Sequence, residues 1–215
     1  MKRLLSVLIS LMLIGAFSLP VLADEALQAQ SQVTTSAGLT ANSGQEHGAK
    51  IKQFYQVWAY DKDGNFKWYD EFENLVPTVG LNYYLDCALS TAGCNAPDIY
   101  VFLVTGPGSG TTYAAGDLMS SHVGWAEDST YSEGTRPQWA PNGAASGGSV
   151  SNSSSKAQFS INNTATIAGA GATDTITKGG TLGILIGAGD FTGGDRAVVN
   201  GDTLNIQVTF TLTAS

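Results

Sequence analysis

The residues whose types lend themselves to chemistry cluster between Thr111 and Asn142. Asp117, Ser120, Ser121 and His122 bring an acid, hydroxyls and an imidazole into one short stretch, the parts of a hydrolytic relay. Side chains adjacent in sequence have no reason to meet in relay geometry, and no oxyanion element is legible. An exported hydrolase centred on His122 therefore has little to stand on. The same stretch carries Trp125, Tyr131 and Trp139, with Tyr113 before them and Arg136 among them. Such rings suit stacking on a sugar or gripping a partner protein. They suit packing as lids on a core still better. Asp61, Asp63 and Asn65 match the first three ligand positions of a calcium loop. Its sixth and twelfth positions then require Gly and Glu, where this chain has Phe66 and Phe72, so a hairpin turn is expected and no metal. Gly106 to Gly110 resembles a phosphate cradle only superficially: no Lys-Ser/Thr follows, and Pro107 removes an amide. Asn152-Ser153-Ser154 is a glycosylation sequon, meaningful only in a eukaryotic secretory pathway. No catalytic residue and no cofactor is assigned.

Positioning these residues falls to strands. From Leu204 to Thr213 every second residue is apolar and those between are polar, the pattern of a strand with one dry and one wet face. Such a strand needs a second apolar layer. Phe54, Trp58 and Tyr60 share one face of an earlier strand, with Tyr55, Val57 and Ala59 on the other. The Asp61–Asn65 turn, with Gly64 or Asn65 at positive φ, leads back through Phe66, Trp68 and Phe72. Ile99 to Val104 is an unbroken apolar run, expected to be buried on both sides. Further strands are expected over Phe159–Gly169 and Leu182–Ile186, and Asn200-Gly201 is expected to turn Ala197–Val199 into the last strand as a hairpin. Thr78 is expected to cap a helix running to about Ser90, with Leu81, Leu85 and Ala88/Leu89 as its buried stripe. The expected fold is mainly β: a single-domain antiparallel β-sandwich over residues 51–215, with one short helix near residues 78–90.

Upstream, Lys2 and Arg3 precede an apolar run ending at Val21-Leu22-Ala23, the form of a signal peptide cleaved between Ala23 and Asp24. Residues 24–50 form a polar leader too poor in apolar residues to order itself, with a lone solvated His47. Export makes a disulfide between Cys87 and Cys94 the natural expectation, and neither has partners at zinc spacing. Seven residues of continuous helix would hold the two Cα atoms about 10 Å apart, so the helix must stop before Gly93. After cleavage the net charge is 8 − 18 = −10, from 10 basic residues of which two are removed and 18 acidic ones that all remain. That argues against nucleic acid and against anionic lipid as partners, and no membrane span is expected after cleavage.

Several segments resemble a family of small virion structural proteins of tailed bacteriophages, head- or tail-associated. They are Trp58–Asp70, Asn74-Leu75-Val76 with Gly80-Leu81-Asn82 and Leu85-Asp86, and Phe102–Gly110. The likeness continues through Ala114-Ala115-Gly116-Asp117, Ser121-His122, Gly124-Trp125, Tyr131, Arg136-Pro137 and Trp139. It ends with Phe191, Gly194-Asp195-Arg196 and Asn200–Leu204. The resemblance implies a non-enzymatic structural or interaction protein, self-associating or binding virion or surface proteins, with no catalytic residues to carry over. The signal peptide, the leader and the cysteine pair depart from that pattern and fit a phage-type domain working outside the cytoplasm, in periplasm or medium. The alternative is a secreted glycan- or protein-binding module using the aromatic loop of residues 111–142.

Overall fold

The computed structural model describes residues 49–90, 98–106 and 111–214. The signal segment, most of the leader with His47, Cys94, and the greater part of the Gly106–Gly110 loop lie outside them. Alternation at the C-terminus becomes strand β12 (Thr203–Ala214), and it pairs antiparallel along its whole length with β1 (Ala49–Tyr60). β1 turns through Gly64, at φ 82°, into β2 (Phe66–Glu73). The far side of β12 takes β6 (Ser149–Ser151) and β7 (Ala157–Ser160), which completes the larger sheet. The second sheet runs β10 (Leu185–Asp190), β9 (Gly169–Thr173), β3 (Ile99–Thr105), β4 (Ala126–Asp128), with β5 (Gln138–Trp139) also on β3. β8 (Ala165–Ile167) and β11 (Arg196–Val198) pair apart. All these pairings are antiparallel, and the architecture is a mainly β sandwich.

The core lies between the two sheets. Tyr55, Val57 and Ala59 of β1 and Leu204, Ile206, Val208 and Phe210 of β12 pack in one cluster with Val101, Leu103, Ala170, Ala172 and Ile186. Each of these larger side chains contributes about 1.5–3 kcal/mol by leaving water. The unbroken run of β3 has its cause in the other face of its sheet. Phe102, Val104, Leu185 and Ala188 are buried there under Met119 and Trp125, with Val79 and Tyr113 alongside. A strand covered on both faces has no position to spare for a polar residue. Close approach of backbones makes β9 small: a Cβ on Gly171 would stand 2.2 Å from the Phe102 ring and 2.7 Å from the Gly187 carbonyl.

Five expectations are corrected. The helix α1 (Thr78–Leu89) forms, but Thr78 does not cap it. Pro77 holds the cap position, and the Thr78 N–H donates to Ala115 O at 2.8 Å. The side of α1 that packs is Gly80 and Tyr83, not the leucine stripe. Gly80 is drawn so close that a Cβ would sit 2.7 Å from Ile186 O, which decides the helix's rotation. Asn200-Gly201 does turn, with Asp202 N–H on Val199 O at 3.0 Å, but β11 and β12 do not pair with each other. The strand expected from Leu182 starts at Leu185, with Leu182 itself exposed. The strand expected over Phe159–Gly169 breaks into β7, β8 and the start of β9.

Between β6 and β7, Asn152 is fully buried and stands in for the strand residue that β12 lacks there. Its Oδ1 accepts from Val208 N–H at 2.7 Å, and its Nδ2 donates to Ile206 O at 3.2 Å and Ser155 O at 3.3 Å. The sequon is therefore closed in the folded chain.

Candidate functional site

The presumed relay does not assemble. Asp117 is spent elsewhere, its Oδ2 accepting from Trp125 Nε1 at 3.0 Å and Ala114 N–H at 3.1 Å. His122 lies flat on the Trp125 ring, centroids 3.6 Å apart, with Nδ1 donating to Trp125 O at 2.9 Å. The imidazole thus braces a tryptophan, and the acid holds that tryptophan's indole.

The three aromatic candidates are likewise consumed: they are lids on the core, as the favoured reading had it, and the alternative of a shared binding loop is corrected. Trp125 is sandwiched between His122 and Phe102. Tyr131 is fully buried, edge-on to Phe159. Trp139 lies edge-on to Phe210 and donates Nε1–H to Val208 O at 2.9 Å. They belong to the core clusters and share no open face. Arg136 staples the same excursion to residues 175–180. Its guanidinium is fully buried, binding both Glu127 oxygens and the carbonyls of Thr175 and Gly180, with the Phe102 ring 5.8 Å away.

The Asp61 turn is closed by its own backbone. Asp61 Oδ1 accepts from Asp63 N–H and Asn65 N–H, each at 2.9 Å, and the Asn65 side chain first of all holds its carboxyl below the usual range. Cys87 sits near the end of α1 and is not a free thiol. The helix stops at Leu89, where a bond to Cys94 would require it to stop.

One end of the sandwich holds a buried polar network centred on Gln53. Its Nε2 donates to Ile186 O at 2.8 Å and Tyr84 OH at 3.0 Å. Its Oε1 accepts from Asn74 Nδ2 at 2.7 Å and Tyr55 OH at 3.2 Å. Burial raises the hydroxyls of Tyr55, Tyr84, Tyr113 and Tyr131 well above their ordinary value, and that of Tyr83 to about 12. A tyrosine held protonated in the fold but free to ionise near pH 10 when unfolded stabilises fully below pH 10. Above it the unfolded chain binds fewer protons, so stability falls as pH rises. We expect a loss of about 1.4 kcal/mol per pH unit for each such tyrosine between pH 10 and 12. Absorbance at 295 nm should show these five of the eight tyrosines ionising only together with loss of β signal. Ionisation of more than the remaining three in a still-folded chain would contradict this burial.

Among the described residues, two surfaces stand open. The first is α1, where Leu81, Leu85 and Leu89 form an exposed row at i, i+4, i+8 beside exposed Leu75. A groove of about 450 Å³ runs next to it, lined by Ile51, Leu75, Val76 and Leu81 with Lys50, Lys52 and Glu73. The second is the wet face of the larger sheet. Residues opposite one another in register bring Trp58 beside Tyr69 and Asn205, Gln56 beside Glu71 and Gln207, and Tyr60 beside Phe66 and Thr203. Phe66 and Tyr69 are exposed, Trp58 and Tyr60 half-buried. Reasoning from the sequence placed the functional rings in the loop and missed this face. Its signal was present: Phe54, Trp58 and Tyr60 lie in phase with each other and against the Tyr55–Ala59 core row.

No protein-family model, no curated protein and no solved structure matches the chain.

Proposed function

We propose that the chain is a non-enzymatic structural or interaction protein of the phage virion type, exported after cleavage between Ala23 and Asp24, closed by a Cys87–Cys94 bond, and self-associating. The observation that carries this reading is the leucine row on α1. A sequence pattern suited to burial faces water, and an aliphatic stripe beside a groove is what a second copy covers. The consumption of Asp117, His122, Glu127 and Arg136 in structural bonds is in keeping with a scaffold role.

Sedimentation of the purified exported chain tests it. The wild type is expected to sediment as a closed multimer, and a Leu81→Gln/Leu85→Gln/Leu89→Gln variant as a folded monomer with unchanged circular dichroism. A monomeric wild type at micromolar concentration, or an assembly indifferent to the three changes, would overturn self-association. Intact mass from the culture fluid should show a chain beginning at Asp24 and two hydrogens light; a full-length chain confined to the cytosol would remove the export reading.

A further inference from the structure

The wet face of the larger sheet is unlike the leucine row in composition. Along β1 it presents Phe54, Gln56, Trp58 and Tyr60; along β12, Thr203, Asn205, Gln207, Thr209 and Thr211. The neighbouring edge of β2 adds Phe66 and Tyr69. Among these residues there is no aliphatic side chain. Protein interfaces set methionine and arginine among their aromatic rings, and neither residue type stands on this face. This face instead sets aromatic rings among amides and hydroxyls.

The polar groups are fixed in place before any ligand arrives. Gln207 Nε2 donates to Gln56 Oε1 at 3.0 Å, Gln56 Nε2 donates to Tyr69 OH at 2.8 Å, and Tyr69 OH donates to Glu71. The chain of bonds crosses three strands in one row. It leaves acceptor and donor capacity on the amides directed along the face. Trp58 and Tyr69 stand 5.2 Å apart by centroid, and Tyr60 and Phe66 6.1 Å. Lys156, held by Ser153 O at 2.9 Å, leans over the Trp58 ring at 4.9 Å, a flexible side chain that a ligand would displace. Charges at the margin are paired, Lys52 with Glu73 and Lys67 with Asp202, and the centre holds one charge of each sign, Glu71 at the end of the hydrogen-bonded row and Lys156 over Trp58, so the middle of the face carries no net charge on an otherwise acidic protein.

We infer that this face is a binding site for an uncharged polysaccharide. The C–H faces of the sugar rings stack on Trp58 and Tyr69, and their hydroxyls exchange hydrogen bonds with Gln56, Gln207 and Asn205. The surface fits a chain rather than a single sugar because it is open and extends over several strands. An acidic protein repels an anionic polymer, which sets the preference for a neutral one. This inference stands apart from self-association through α1, because none of its residues lies on the helix.

Affinity electrophoresis in gels containing hydroxyethyl cellulose, galactomannan or carboxymethyl cellulose tests it. The full exported chain is expected to be retarded by at least one of the two neutral polymers and not by the anionic one. Trp58→Ala is expected to weaken retardation about tenfold, and Gln56→Ala to weaken it to a lesser degree, with circular dichroism and sedimentation unchanged in both. Absence of retardation by either neutral polymer would overturn the inference, as would retardation by carboxymethyl cellulose alone or equal retardation of Trp58→Ala. A Trp58→Ala variant that loses assembly while the wild type ignores both neutral gels would also overturn it. That result would move the contact between copies to the sheet, whereas loss of assembly in the leucine variant alone leaves the two readings separate.

Discussion

Arg136→Ala is expected to lower stability by about 3–5 kcal/mol, the largest single effect in the chain. The change leaves Glu127, itself buried, as a carboxylate without its counter-ion, and it orphans the carbonyls of Thr175 and Gly180. It also removes the staple between the 111–142 excursion and the loop that precedes β10. Arg136→Lys should recover only part of the loss, because one ammonium cannot span two carboxylate oxygens and two carbonyls from a single point. The double change Arg136→Met/Glu127→Leu should cost much less than Arg136→Ala, since it removes both charges together. Urea unfolding midpoints, with slopes checked for constancy, measure all three. A loss under about 1 kcal/mol for Arg136→Ala would mean the buried pair does not hold the excursion.

Asn152→Asp is expected to be the second most damaging change, at about 3–5 kcal/mol near neutral pH. One atom is exchanged and the shape is kept, but a donor facing two carbonyls becomes a negative oxygen facing them. The site is fully buried, so the carboxyl's affinity for a proton must rise. The sign follows: a group bound to its proton more tightly in the fold than in the unfolded chain favours folding below its ordinary value and loses that contribution as pH rises. The variant should therefore be close to the wild type near pH 4 and fall away from it above. Asn152→Ala, with no charge to bury, should show a loss independent of pH. Identical pH profiles for Asn152→Asp and wild type would show that the amide is not the link between β6 and β7.

The same residue shows where reading the sequence stops. Asn152-Ser153-Ser154 has the form of a surface acceptor, and nothing local distinguishes it from a side chain buried in a gap of a sheet. The strand that needs it, β12, lies more than fifty residues on. Trp125, Tyr131 and Trp139 pose the same kind of question. Rings in a Gly- and Pro-containing excursion read more readily as lids than as a platform, and the structure makes them lids in two places: Trp125 covers the outer face of the β3 sheet, while Tyr131 and Trp139 close the main core against Phe159 and Phe210.

What the sequence determined by itself was local and periodic. Alternation over Leu204–Thr213 made β12 two-faced, the run Ile99–Val104 required cover on both sides, and the Asp61–Asn65 turn closed the first hairpin. Period-2 patterns survive folding because one face must lose water whatever its partner turns out to be. Tertiary structure alone decided which partner. The leucine row of α1 had the right period for burial, but Gly80 could approach Ile186 O more closely than any leucine. β11 sat next to β12 in sequence, but its ladder was completed by β8. Contacts that depend on how near two backbones can come, or on which of two apolar faces is covered first, are not written in either segment alone.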